Sequence, residues 1–346
     1  MVRHSALIQR LLDNLVSVSD YIKKVFICDL SGKLVGISSN EWNEEPNYSR
    51  FLNDIATEAS EMFKKQTESH RFGTGIFYLD DMEILFNQVG STAILFTIVD
   101  PKIIPNYVMT YAFMVSDKIA NLIENEFFEG FNVEVPNFRI NRIMDEASID
   151  SFERQEIKVE TERGEYSVAF LNRSKRDMLY KFILLGDPAV GKTSLIQKYT
   201  SGRFRDDYIP TLGISITEHN YEIDGFVDST IKILFWDLAG QENFKYARKI
   251  YVDGAHAGFI VYSVTDKDSF KNVKQWYKAL SEDIGRIPLI LVANKIDLDS
   301  ERVISQKDGL KLAERLGCAY METSAKTGEN VKFAFRVLAL GLFFAD

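Results

Sequence analysis

The chain is short of the residues that would mark it as secreted, metal-clustered or membrane-spanning. Only two cysteines occur in 346 residues, Cys28 and Cys318, far apart and each in apolar surroundings. Buried free thiols in a reducing compartment fit that usage better than a disulfide. The four histidines, His4, His70, His219 and His256, show no ligand spacing, which points to surface or hydrogen-bonded imidazoles. No run approaches ~18 uncharged apolar residues, so no membrane-spanning helix is expected. No long apolar stretch follows the basic residue near the N-terminus, which argues against a signal peptide. Val2 and the ending GLFFAD offer no site for N-myristoylation or prenylation, so lipid anchoring is not expected. A cytoplasmic chain follows, at most peripheral to a membrane through partners. Positive charge is also in deficit, with 41 Lys and Arg against 50 Asp and Glu, a formal net charge of −9. A broad nucleic-acid footprint needs a basic surface and is not expected. One local site for a small polyphosphate remains open.

Solenoid-like repeats and low-complexity tracts are absent too. The hydrophobic and charged fractions, 46% and 26%, are ordinary for a globular protein. The length suits two domains, each able to bury a core. Composition changes over residues 132–177, where DEASIDSFERQEIKVETERGEY is rich in charge and lacks a sustained apolar period. This stretch reads as a charged linker with a strand at Tyr166–Leu171, between domains at 1–131 and 178–346.

Residues 1–131 read as helix, two strands, helix, three strands, helix. Leu7, Leu11, Leu12 and Leu15 recur at helical spacing, as do Phe51, Ile55, Ala59 and Phe63. Ser31-Gly32, Asp80-Asp81 and Gly90-Ser91 mark turns between apolar strands. Pro105 stands near the start of a final helix reaching about Phe128. Five antiparallel strands with helices on one face make an α+β layer. From residue 178, near-continuous apolar strands alternate with helices, which indicates an α/β domain with a doubly wound, mostly parallel sheet. Ligands in such sheets sit at the carboxyl ends of the strands.

The stretch Gly186-Asp187-Pro188-Ala189-Val190-Gly191-Lys192-Thr193, followed by Ser194, fits G-x-x-x-x-G-K-[ST]. It follows a strand and opens a helix, the context a phosphate-binding P-loop needs. Glycines let consecutive amides turn inward toward phosphate oxygens, and the helix N-terminus adds its positive end. Lys192 would reach β- and γ-phosphates, and the Thr193 hydroxyl would bind Mg²⁺. An ordinary βα turn is the bland alternative. Further along, WDLAGQE places Asp237 at a strand end, suited to Mg²⁺ through water. There Gly240 can offer an amide to a γ-phosphate, and Gln241 is suited to orienting a water. ANKID (Ala293–Asp297) ends another strand, where the Asp297 carboxylate can accept two N–H bonds from a guanine edge. ETSAK (Glu322–Lys326) follows the last strand, where a backbone amide can meet the base oxygen. Asp80-Asp81 reads as a turn rather than an acid–base pair. Arg203 and Arg205 are either solvated charges or a cis arginine near the site.

These four motifs, in order and spacing, resemble the Ras superfamily of small GTPases, nearest its Rab and Ras branches, over about 165 residues. The resemblance implies GTP and GDP as ligands, Mg²⁺ as cofactor and hydrolysis of GTP. It also implies nucleotide contacts from the loop residues and from Asn294, Lys295, Asp297, Ser324, Ala325 and Lys326. Phe204 falls where the family packs an aromatic on the guanine, and Thr211 where a threonine closes on Mg²⁺ and the γ-phosphate. Metal contacts then come from Thr193, Thr211 and Asp237, and catalysis from Gln241, Lys192 and Thr211. Effectors or regulators would meet the switch segments Arg205–Ser215 and Asp237–Tyr251. Pro188 departs from the family's usual Gly or Ser and has no N–H to donate. The element order of residues 1–131 resembles the roadblock/LC7 family, with the longin fold as a relative and an unrelated α+β regulatory domain as the alternative. Roadblock-like modules pair into dimers and bind small GTPases. A homodimer through this module is therefore expected, and so is docking of the module on a switch surface, in cis or across a dimer. The competing functional readings are a weakly hydrolysing GTP-binding scaffold and an ATP-using P-loop enzyme.

Overall fold

The computed structural model describes residues 4–40, 54–57, 59, 74–79, 82–99, 106–124, 153–161, 164–172, 177–205, 214–222, 230–238 and 248–345. The Asp80-Asp81 turn, Pro105, Phe51, Phe63 and Phe128 lie outside these residues.

The first lobe contains α1 (Ser5–Val16), β1 (Ile22–Asp29), β2 (Leu34–Ile37), β3 (Thr74–Tyr78), β4 (Glu83–Val89), β5 (Ala93–Val99) and α2 (Asn106–Glu124). The helical spacing in α1 buries Ile8, Leu11, Leu12 and Leu15. The Ser31-Gly32 turn forms because the Asp29 carboxylate accepts the Ser31 amide at 2.8 Å and the Lys33 amide at 3.1 Å, while Gly32 takes φ 84°. The five strands lie in the order β2-β1-β5-β4-β3, every neighbour antiparallel. Their alternate side chains are apolar on both faces. Val25, Ile27, Leu85 and Leu95 pack with α1 and α2, whereas Phe26, Phe77, Phe86 and Phe96 pack with Ile55, Ala56 and Ala59. The latter three lie in helical backbone described at residues 54–57 and 59. Helices therefore cover both faces of this sheet and not one, because a strand apolar on both sides needs cover on both.

The charged segment before residue 178 is more than a linker. It contains β6 (Glu153–Thr161) and β7 (Gly164–Asn172), an antiparallel hairpin. β7 pairs with β3, extending the sheet to seven strands. The strand expected at Tyr166–Leu171 is part of β7. Backbone pairing satisfies the open edge of β3 without demanding an apolar sequence.

The second lobe contains β8 (Asp177–Leu185), α3 (Lys192–Ser201), β9 (Ile214–Glu222), β10 (Thr230–Leu238), α4 (Arg248–Val252), β11 (Ala257–Ser263), α5 (Lys267–Ile284), β12 (Leu289–Asn294), α6 (Gln306–Leu316), β13 (Ala319–Thr323) and α7 (Val331–Ala345). The strand order is β13-β12-β11-β8-β10-β9, parallel except that β9 runs against β10. Side chains of α3 and α7 pack on the sheet face carrying Phe182, Phe235 and Phe259. Those of α5 and α6 pack on the face of Ile183, Ile260 and Tyr262. The Asp266 side chain caps α5 and Ser305 caps α6, each accepting amides of its helix's first turn.

The α7 sequence, VKFAFRVLALGLFFA, is apolar around nearly its whole circumference, which a soluble chain tolerates only if the helix is enclosed. The sequence leaves open whether its phenylalanines pack on the sheet or on the first lobe, and the structure uses both. Phe335 stacks on Tyr199 at 4.6 Å and meets Phe235 and Phe259 at 5.0 and 4.7 Å. Phe333 sits under the Lys118 ammonium of α2, 5.0 Å from the ring centre. Arg336 of α7 pairs with Asp117 of α2 at 2.5 Å. One apolar cluster thus runs from α1 and α2 through α7 to β11. Among the described residues the lobes meet through α2 and α7, and the expected docking on a switch surface falls on segments that lie largely outside those residues. Truncating Phe335 removes the ring at the centre of this cluster. Phe335→Ala is expected to cost about 3–5 kcal/mol, read as a fall in the urea midpoint of the full chain.

Candidate functional site

The parallel strands β8, β10, β12 and β13 end on the same edge of the second sheet, and the candidate site is assembled there. Between β8 and α3 the loop turns tightly, with φ 138° at Gly186, 60° at Ala189 and 99° at Gly191. A Cβ on Gly186 would lie 2.2 Å from the Val261 carbonyl oxygen, and one on Gly191 would lie 2.3 Å from the Asn294 amide nitrogen. Both positions exclude any side chain. Pro188 and Ala189 are exposed and Val190 is buried.

Lys192 opens α3 and is only 6% exposed. Its ammonium donates to the carbonyls of Gly186 and Asp187, both at 2.8 Å. Burial pulls its pKa down to about 8, against the opposing pull of Asp237 and Asp187. The Thr193 hydroxyl donates to the Asp237 carboxylate, joining the start of α3 to the end of β10. Ser194 follows, half-buried. A hydroxyl and a carboxylate side by side are hard oxygen donors. Among the described residues no three His, Cys, Asp or Glu side chains gather to hold a metal. A divalent cation at Thr193 and Asp237 would therefore complete its shell with phosphate and water. This is the habit of Mg²⁺, so the residues present fit that ion.

The second half of the site is a braced pair of loops after β12 and β13. Asn294, 1% exposed, donates to the Val190 carbonyl at 2.8 Å and accepts the Ala325 amide at 3.1 Å and the Thr323 hydroxyl at 3.2 Å. It ties the glycine-rich loop to the ETSAK loop. Lys295 takes φ 71°. Asp297 is exposed and accepts the Ser324 hydroxyl at 2.6 Å. Ser324 in turn accepts the Thr327 amide at 3.0 Å, and the Lys326 carbonyl accepts from Lys198 of α3 at 3.2 Å. Phe204, just past α3, is half-buried against the main core. Thr211, Gly240 and Gln241 lie outside the described residues, as do positions 206–213 and 239–247 of the two switch segments.

Several supporting contacts carry no sequence signature. The Asp187 carboxylate accepts the Asn272 amide and the Trp276 indole N–H, each at 2.7 Å, which pins the loop to α5. Arg302 forks onto Glu322 at 2.9 and 3.2 Å and braces the strand leading into the ETSAK loop. The side chains involved are distant in sequence, and the i, i+4 spacing of Asn272 and Trp276 is the sole local hint. The remaining candidates settle simply. His256 accepts the Lys181 amide through Nδ1 at 3.0 Å, and His219 packs edge-on against Tyr199. Both cysteines are free, and burial pushes each thiol up to about 12. Arg203 and Arg205 are exposed.

A glycine-cradled lysine, a threonine–aspartate pair and a braced N-K-x-D loop, all at the carboxyl edge of a parallel sheet, define a P-loop nucleotide-binding domain. Residues 181–342 match the model of the Ras family. The Ras-related protein RIC1 of Oryza sativa subsp. japonica is 41% identical over 167 residues, which are 47% of this chain and 80% of that protein. The GTP-binding protein YPTM2 of Zea mays is 39% identical over 170 residues, 48% of this chain and 81% of that protein. The chain belongs to the Ras family. It is a small GTPase, which binds GTP and GDP with Mg²⁺ and hydrolyses GTP. The first lobe lies outside the family match. No helix among the described residues is long and apolar enough to cross a membrane.

The Arg302–Glu322 fork is enclosed, with side-chain exposures of 20% and 16%. Arg302→Ala takes the guanidinium from the Glu322 carboxylate, which keeps the Tyr320 hydroxyl, and is expected to cost about 1.5–3 kcal/mol in thermal or urea unfolding, and Arg302→Lys should recover part of that loss.

Proposed function

We propose that this chain is a GTP-driven switch whose nucleotide state is read or regulated by its first lobe. The reading is supported by one convergence: the cradle around Lys192, the Thr193–Asp237 pair and the Asn294–Asp297–Ser324 brace all meet at one sheet edge. Lys192 and the amides of residues 186–187 and 189–194 bind and neutralise the phosphates. Thr193 and Thr211 would hold Mg²⁺, with Asp237 acting through water. When bound, the metal would offset negative charge on the phosphates. Gln241 orients the water that attacks the γ-phosphorus in line, the bond to the bridging oxygen breaks, and GDP and phosphate leave. Gly240 donates its amide to the γ-phosphate. Asp297 accepts from the guanine edge, the amides of Ser324, Ala325 and Lys326 meet the base oxygen, Asn294 and Lys295 shape the pocket, and Phe204 packs on the base. Unaided turnover is about 10⁻⁴ s⁻¹. The switch segments meet effectors or regulators when the γ-phosphate orders them. The first lobe is roadblock-like in its helix and strand order, and a homodimer through it belongs to the same reading.

The Lys192 amine gives this reading a pH signature. Burial holds the amine down at about 8, against an ordinary value of 10.5, and a phosphate beside it favours the charged form and raises it. Well below pH 8 the group is charged before and after binding. Above pH 8 the unbound amine is mostly neutral and phosphate draws a proton onto it. Nucleotide binding at pH 9 is therefore expected to take up protons and to weaken as pH rises. Titration calorimetry in two buffers of different ionisation enthalpy measures this uptake, and none would contradict the placement of Lys192.

Phosphate release by the full chain tests the hydrolytic role. Gln241→Leu is expected to lower the rate about tenfold or more while nucleotide stays bound. Equal rates near background for both chains would favour a scaffold that holds nucleotide without using it.

A further inference from the structure

Arg336 is the side chain that touches both lobes and the strand leading out of the first switch segment. It projects from α7. Its guanidinium donates to the Asp117 carboxylate of α2 at 2.5 Å and lies 4.8 Å from the ring centre of Tyr221. Both members of the ion pair are mostly covered, with side-chain exposures of 26% and 30%. Tyr221 sits at the far end of β9, only 7% exposed. Two residues earlier on the same face, His219 packs edge-on against Tyr199 at 4.7 Å, and Tyr199 stacks on Phe335. Tyr199 belongs to α3, the helix that begins with Lys192 and Thr193.

β9 is suited to carry a displacement. Among the described residues it is the edge strand of its sheet, bonded to β10 on one side. Its nine consecutive pairs with β10, from Leu238↔Ile214 to Thr230↔Glu222, contain no bulge, so the two strands form a continuous ribbon. From Ile214 to Tyr221 it spans about 24 Å. Its near end follows the segment holding Thr211. Beside that end, Asp237 of β10 accepts from Thr193. A shift at the near end would be felt at Tyr221, where Arg336 holds both the ring and the Asp117 carboxylate.

We propose that the Tyr221–Arg336–Asp117 contact couples the first lobe to the nucleotide, so that the first lobe sets the preference of its own GTPase domain for GTP over GDP. This rests on the functional reading above, in which Thr211 closes on the γ-phosphate. A ligand shifts a two-state equilibrium only through its differential affinity for the two states, and the coupling is reciprocal. If GTP and GDP place β9 differently, the contact at its far end changes their relative affinity. A contact that served only as glue would change both affinities alike. Arg336 is a positioning residue in this scheme and touches no reacting atom.

The test uses the full chain and two fluorescent probes, a labelled GDP and a labelled non-hydrolysable GTP analogue, with dissociation rates measured by displacement. Asp117→Asn and Tyr221→Leu are each expected to change the ratio of the two rates by about fivefold or more. Arg336→Lys, which keeps the charge and loses the planar fork, supplies the same comparison if Asp117→Asn does not fold. Folded variants with both rates changed equally, or unchanged, would overturn the coupling and leave the GTPase reading standing. An unaltered chain that retained neither probe would overturn both.

Discussion

A helix that is apolar on every side must be covered on every side, and α7 imposes that condition on the whole molecule. The second sheet covers one flank through Phe235, Phe259 and the stacked Tyr199. The rest is closed by α2 of the first lobe. Ordinary α/β domains leave the outer flank of such a helix polar and wet. Here that flank has become interior, so the first lobe is held against the sheet face opposite α5 and α6. The burial is non-directional, but the Arg336–Asp117 pair and the Lys118–Phe333 contact fix the angle of approach. A charged pair at the margin of an apolar contact gives registry more than raw stability.

The nucleotide edge of the same lobe is organised by polar struts. Asn294 spans the glycine loop and the ETSAK loop with three hydrogen bonds, and Asp187 ties the glycine loop to α5 with two. These groups are buried or partly buried, so each must be satisfied within the chain. The result is a cradle held from both sides before any ligand arrives. Preorganisation of this kind lowers the ordering cost of binding. Lys192 shows the complementary case. Enclosed and bonded to loop carbonyls, it is a poorly hydrated cation, and a polyphosphate is the partner that most relieves that condition.

Much of this was legible from the sequence, and the parts that were not share a cause. The glycine loop, Asp237, the N-K-x-D loop and the ETSAK loop are short contiguous patterns whose residue types follow from local chemistry. Apolar runs bounded by turn residues mark β1–β5 and the strands of the second sheet. The hairpin β6–β7 was read as a linker with one strand, because a run such as Glu156-Ile157-Lys158-Val159-Glu160 looks more like solvated charge than like a strand. Its pairing is decided by the open edge of β3, which lies some ninety residues earlier than its partner β7. The cover on both faces of the first sheet was missed in the same way. Phe26 and Phe77 announce a second apolar face, but which helix covers it depends on the return path of the chain.

The sequence by itself determined the identity of the nucleotide loops and the alternation of strands and helices. It also determined that the last helix could not stand in water. Each of these is set by neighbours a few residues apart, within reach of turn geometry and hydrophobic period. Only the tertiary structure decided that Asp117 meets Arg336 across 219 residues, that Asp187 meets Trp276, and that α2 is the cover for α7. A carboxylate or a guanidinium in a sequence can pair with any opposite charge. Its partner is chosen when burial brings two surfaces together and leaves one counter-charge within hydrogen-bond reach.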